Sequence, residues 1–199
     1  MTRRCVLVLL TEPAWAPPGI ALATWRRALA EDSVDLLATL AEVDVGLVAA
    51  EADLSFAEEV RWPGTPILTV DRATPALALR AAHQREYDQA AVLAPDAPDL
   101  PAMLIGKLLQ PLGRRDVSAA PAGDVLLGIG ASLPAPDWLL AADPSLDTAG
   151  VAQLRAAAPS PGQVATTPGW HRLRDPESFA RLDPDLEGWD ATRTLLSAG

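Results

Sequence analysis

Two carboxylates, Asp96 and Asp99, stand three residues apart in the stretch VLAPDAPDLP, just where a run of small apolar residues stops and prolines close in. Open parallel sheets hold their ligands beyond the carboxyl ends of their strands. Asp96 falls there and is a candidate ligand-binding residue; the alternative is an Asx-type turn closed by its own neighbours. Asp99, followed by Leu100 and Pro101, reads as the N-cap of the next helix. His83 and His171 are the only histidines. His83 reads as a surface residue. His171 stands with Arg172 and Arg174 in a cluster suited to an anionic ligand. Cys5, alone and inside an apolar run, has no disulfide partner and reads as a small buried hydrophobe. No Gly-x-Ser-x-Gly elbow anchors a Ser–His–Asp triad, and GIG at 128–130 lacks the helix that a dinucleotide fingerprint requires. Trp15 and Trp62 sit in proline-flanked loops, and Trp138 and Trp170 lie beside strand ends; core packing is their default role, and a ring exposed in a loop marks a pocket or an interface.

Positioning these residues requires alternating strands and helices. Apolar runs predict strands over 4–10, 45–49, 66–70, 89–94, 116–120 and 125–129, with a turn at 121–124 between the last two. Helical patterns fall over 20–40, 75–85, 99–110, 148–157, 176–182 and 191–197. Such alternation implies crossover connections, and hence a mainly parallel sheet covered on both faces. The expected fold is a single three-layer α/β/α sandwich over residues 1–199, with an antiparallel portion after Arg115.

Composition narrows the partners. The formal charge of −10 and a pI near 4.6 exclude nucleic acid and anionic membranes, which call for a basic face. A single nucleotide is compatible, because backbone N–H groups and one metal ion hold it without net positive charge. Arg3 and Arg4 before CVLVLL faintly suggest a leader, but the run is short and Glu12 follows, so a first core strand is the better reading. A cytoplasmic location is expected.

YDQAAVLAPDAPDLPAMLIGKLLQPL, followed by RRDVSAAPAGDVLLGIG, resembles the central block of the bacterial glycosyltransferase-A-like family related to nucleotidyltransferases. That family has the nucleotide-diphospho-sugar transferase fold, and 2-phospholactate guanylyltransferases are among its members. VLVLL with Pro18–Gly19, and WHRLRDPESFARL near the end, are similar to its first and closing segments. The resemblance implies metal-assisted glycosyl or nucleotidyl transfer, with Mg²⁺ or Mn²⁺ held by Asp96, a hard oxygen donor. It places the nucleotide near Pro18, Gly19, Thr24, Arg26, Asp96, Gly123 and Asp124.

This chain departs from the family pattern in three places. The stretch after Pro18–Gly19 is apolar except for Thr24, where relatives carry a basic cluster; Arg26 and Arg27 follow, and solvated charges on a helix face are their simpler reading. The hairpin has one glycine, Gly123, where two are usual. His171-Arg172-Leu173-Arg174 replaces late metal-binding aspartates, while Asp175 before Pro176 reads as a helix cap. Two functions follow: a nucleotide- or nucleotide-sugar-binding transferase-like protein, or a catalytically inactive member acting by partner binding or self-association as a homodimer.

Overall fold

The computed structural model describes residues 2–198. Among these residues, seven strands form one sheet: β1 (Arg4–Leu9), β2 (Asp44–Ala50), β3 (Ile67–Val70), β4 (Gln89–Leu93), β5 (Val117–Ala122), β6 (Val125–Ser132) and β7 (Val164–Thr166). Their order is β3-β2-β1-β4-β6-β5-β7. β6 alone runs antiparallel to its neighbours β4 and β5, so the sheet is mainly parallel as expected. The order reverses between β1 and β4. Crossovers from β1 lead outward to β2 and β3, then back to β4 on the other side, which opens a crevice at the carboxyl edge.

The described residues form eight α-helices: α1 (Leu22–Ala38), α2 (Leu54–Val60), α3 (Pro75–Gln84), α4 (Ala102–Leu109), α5 (Asp137–Ala142), α6 (Val151–Ala157), α7 (Pro176–Phe179) and α8 (Asp190–Ser197). β1 and β4 are buried along nearly their whole length, because both faces are covered. Side chains alternate between two cores. Leu7, Leu9, Val92 and Ile129 meet Leu79, Leu139 and Leu154 on the face of α3, α5 and α6. Val6, Val8, Leu93 and Leu127 meet Val34, Ala57, Ile105 and Leu108 on the face of α1, α2 and α4. These two cores make the three layers. A smaller cluster of Trp25, Leu29 and Leu173 is closed by Leu195 and Leu196 of α8. Among the described residues, no helix is long and apolar enough to cross a membrane.

Three elements escape the sequence patterns: α2, α5 and β7. Each is seven residues or fewer, and α2 buries only Ala57 and Val60, too short a stripe to establish a period. The helix expected from residue 99 begins at Ala102. Its N-cap is Pro101, which offers no side-chain acceptor, so Asp99 is not the cap. Asp175 does cap α7, accepting from Ser178 N at 2.6 Å. Pro121 sits where the β5–β6 ladder is irregular, consistent with its missing N–H.

Candidate functional site

β4 delivers Asp96 to the carboxyl edge. The turn that holds it is fastened from outside: Ser33 Oγ of α1 donates to Pro95 O at 3.0 Å, and Leu173 N donates to Asp96 O at 2.7 Å. No local amide donates to the Asp96 carboxylate among the described residues, so the Asx turn does not form. The carboxylate is buried, only 2% of the residue being exposed, and both of its oxygens face Arg172.

Arg172 arrives from the far edge of the sheet. After β7 the chain continues beside β5, Thr167 N donating to Ala119 O and Trp170 N to Pro121 O. Gly169 makes this approach possible, because a Cβ there would lie 2.0 Å from Pro121 O. The guanidinium then meets five oxygens. Nε donates to Asp96 Oδ1 at 2.5 Å, and Nη2 donates to Asp96 Oδ2 at 2.9 Å and Asp147 Oδ1 at 2.6 Å. Nη1 donates to Leu126 O at 2.9 Å and Leu146 O at 2.8 Å. A guanidinium has five N–H groups, so every donor is used. Burial works against the charge, but attraction and hydrogen bonding from Asp96 and Asp147 outweigh it and hold the Arg172 pKa above its ordinary value.

Asp99 has a comparable fate. Its fully buried carboxylate accepts from Trp170 Nε1 at 3.1 Å and Asp183 N at 3.3 Å, with His171 Nε2 3.0 Å from Oδ1. Asp96 and Asp99 of the opening stretch therefore form a dock for the 170–183 segment.

A cleft of about 430 Å³ opens beside this dock. Its walls include Ala14 after β1, the Gly123–Asp124 hairpin, His171, Arg174 and Arg181. Gly123 has φ +68°, a left-handed turn conformation that glycine adopts freely. Arg174 Nη1 donates to Asp147 O at 3.0 Å, so that cation is only partly engaged. A smaller cavity of about 160 Å³ lies at the β1–β4 crevice, walled by Leu9, Thr11, Thr74 and Ala94, and Arg172 borders both spaces.

The other candidate residues divide. Gly123 and Asp124 line the cleft, whereas Pro18, Gly19 and Thr24 are exposed and stand outside its lining. Arg26 is neither a solvated charge nor a cleft residue. It donates to Leu10 O at 2.7 Å and Asp53 Oδ1 at 2.8 Å and lies over the Phe56 ring, tying α1 to the turn before α2. Arg27 is a surface charge paired with Glu31, and His83 is exposed. Asp147 and Arg181 were missed by sequence reasoning, since neither sits in a pattern that sets it apart from other surface charges.

These residues do not fit a divalent ion at Asp96. Its two oxygens are taken by a fixed cation, and no group of three His, Cys, Asp or Glu side chains suited to a metal exists among the described residues.

No protein-family model matches the chain, and no curated protein sequence matches it. Solved structures do. A protein from Desulfovibrio desulfuricans G20 assigned as a nucleotide-diphospho-sugar transferase superposes with a TM-score of 0.70 at 17% identity, over 99% of this chain and 96% of that one. Rv0371C of Mycobacterium tuberculosis H37Rv, in a complex with manganese, gives 0.57 at 12% identity over 94% and 100%. The 4-diphosphocytidyl-2C-methyl-D-erythritol synthase of Anaerococcus prevotii gives 0.56 at 10% identity over 98% and 99%. The chain has the nucleotide-diphospho-sugar transferase fold that its sequence resemblance implies.

Proposed function

We propose that the protein binds a nucleoside phosphate or a nucleotide sugar in the carboxyl-edge cleft. The observation that carries this reading is the cleft's position. It opens at the carboxyl edge, where this topology gathers ligands, over the β5–β6 hairpin and next to the smaller cavity at the β1–β4 reversal, with Arg174 and Arg181 in its wall. Arginine meets phosphate oxygens through paired N–H groups, and the hairpin at Gly123 offers backbone close by. The names of the structural neighbours support this ligand class. Arg174 and Arg181 hold the anionic part, while Asp124 and the hairpin carbonyls are acceptors for sugar or ribose hydroxyls. Binding, rather than metal-assisted transfer, is the activity these residues support, because Asp96 has no oxygen left for a metal-bridged phosphate.

A second reading, a non-catalytic member that works by partner binding or self-association, is favoured by one observation. The basic residue nearest the first loop, Arg26, is spent on Asp53 and the Leu10 carbonyl. Thermal shift and calorimetry with UTP, GTP, CTP and common nucleotide sugars separate the two. Under the first reading at least one of them raises the melting temperature, equally with and without Mn²⁺. Replacing both Arg174 and Arg181 by Ala weakens that ligand roughly tenfold or more, the scale of charge-assisted hydrogen bonds. No shift for any of them, with a dimer in sizing chromatography, gives the second reading.

A further inference from the structure

The five oxygens around Arg172 have the chemistry of a cation cage. Three belong to carboxylates, Asp96 Oδ1 and Oδ2 and Asp147 Oδ1, and two are the carbonyls of Leu126 and Leu146. They come from four places in the chain: the turn after β4, the start of β6, and two neighbouring positions in the loop between α5 and α6. A backbone hydrogen bond from Leu126 N to Leu146 O at 3.2 Å joins two of these places, and the guanidinium ties them to both carboxylates. Carboxylate and carbonyl oxygens are the ligands that Mg²⁺, Mn²⁺ and Ca²⁺ take. The two carboxylates carry a charge of −2 and the guanidinium only +1; Arg174, 3.9 Å from Asp147, supplies the nearest further positive charge.

We propose that the Arg172 guanidinium is a built-in cation filling a divalent-ion cage, so that removing it converts the cage into a metal site. Asp147 provides the route in, since 40% of its side chain is exposed and it borders both cavities. Truncating Arg172 to Ala leaves two carboxylates and two carbonyls around a space several ångströms wide, enough for one ion with waters. A purely structural ion pair predicts otherwise: truncation would leave two repelling acids with no gain in affinity for ions. The proposal stands apart from the nucleotide reading, and its test contains no nucleotide.

The wild-type chain and Arg172→Ala are each titrated with Mn²⁺, followed by calorimetry and by loss of the free-ion paramagnetic resonance signal. The wild type is expected to take up no stoichiometric Mn²⁺. Arg172→Ala is expected to melt at a lower temperature, bind one ion per chain with a dissociation constant of roughly 10⁻⁴ M, and recover stability as the ion is added. Adding Asp96→Asn to that variant should weaken the ion at least tenfold. A folded Arg172→Ala that takes no ion overturns the proposal, and so does stoichiometric Mn²⁺ on the wild type. If Arg172→Ala folds only when Mn²⁺ is present, the proposal is upheld. If it folds under neither condition, Arg172→Ser is titrated in its place: one ion bound by the folded variant upholds the proposal, and a folded variant that takes none overturns it.

Discussion

Asp96 and Asp99 show how little a side chain's type says about its work until its partners arrive. Both sit in one ten-residue stretch, where the sequence offers Asp96 as a ligand residue or an Asx turn and Asp99 as a helix cap. Each is instead consumed by a residue more than seventy positions away: Asp96 by Arg172, Asp99 by Trp170. Cys5 is the opposite case, a residue whose surroundings were plain from its neighbours. Burial, with a smaller push from Asp44, raises its thiol pKa to about 12, so the thiolate is scarce at neutral pH. The native protein should therefore not react with a thiol reagent at pH 8 on the minutes scale, and should react once unfolded in guanidinium. Prompt stoichiometric labelling of the native chain would contradict the buried assignment.

At the level of elements, the glycines of β6 explain a motif that had no function in the sequence. Gly128 and Gly130 do not cradle a dinucleotide; they let β6 pass close beneath α4. A Cβ at Gly128 would lie 2.7 Å from Val92 O and from the Leu93 side chain, with Leu108 of α4 3.2 Å away. At Gly130 it would meet Ser118 Oγ at 2.4 Å and Leu108 O at 3.1 Å. Because Val92 O belongs to the adjacent strand, the clash at 128 is not relieved by a rotamer change. Gly128→Ala should cost about 1–3 kcal/mol, the range for overpacking a dense core, measured by urea unfolding. A loss below about 0.5 kcal/mol, the size of an ordinary surface substitution, would show that β4 and β6 separate more easily than their register implies.

The molecule as a whole is closed by its C-terminal segment. Residues 164–198 supply the seventh strand, the arginine that fills the cage and the helix α8 that packs on α1. Asp32, buried in the middle of α1, accepts from Ala191 N and Thr192 N at 2.9 Å each and so caps α8 across about 160 residues of sequence. Burial, partly offset by these hydrogen bonds, raises its pKa to about 6 from 3.8. The folded state then binds a proton more tightly than the unfolded one. The contribution of Asp32 to stability is full below about pH 4 and is lost as pH rises through about 6. Lowering the pH from 7 to 5 should thus raise the wild-type melting temperature relative to that of Asp32→Asn, a difference in which the other carboxylates largely cancel. Parallel pH curves for the two proteins would remove Asp32 from the account.

The layered α/β architecture was legible in the sequence because strand and helix periods are local, and every strand of the first two-thirds appears within three residues of its pattern. The placement of Asp96 beyond the carboxyl end of β4 was legible for the same reason, since it follows from strand order along the chain. The cap at Asp175 was legible because it needs only Pro176 and Ser178 beside it. The partner of Asp96 was not. Hydrogen-bonding capacity can be counted along a chain, but which oxygen meets which N–H is set by distance in space. Here that distance was closed by Gly169 hugging β5, by a three-residue strand and by a loop after α5, features with no periodicity to read. Only the folded chain decided that the cation at Asp96 is an arginine.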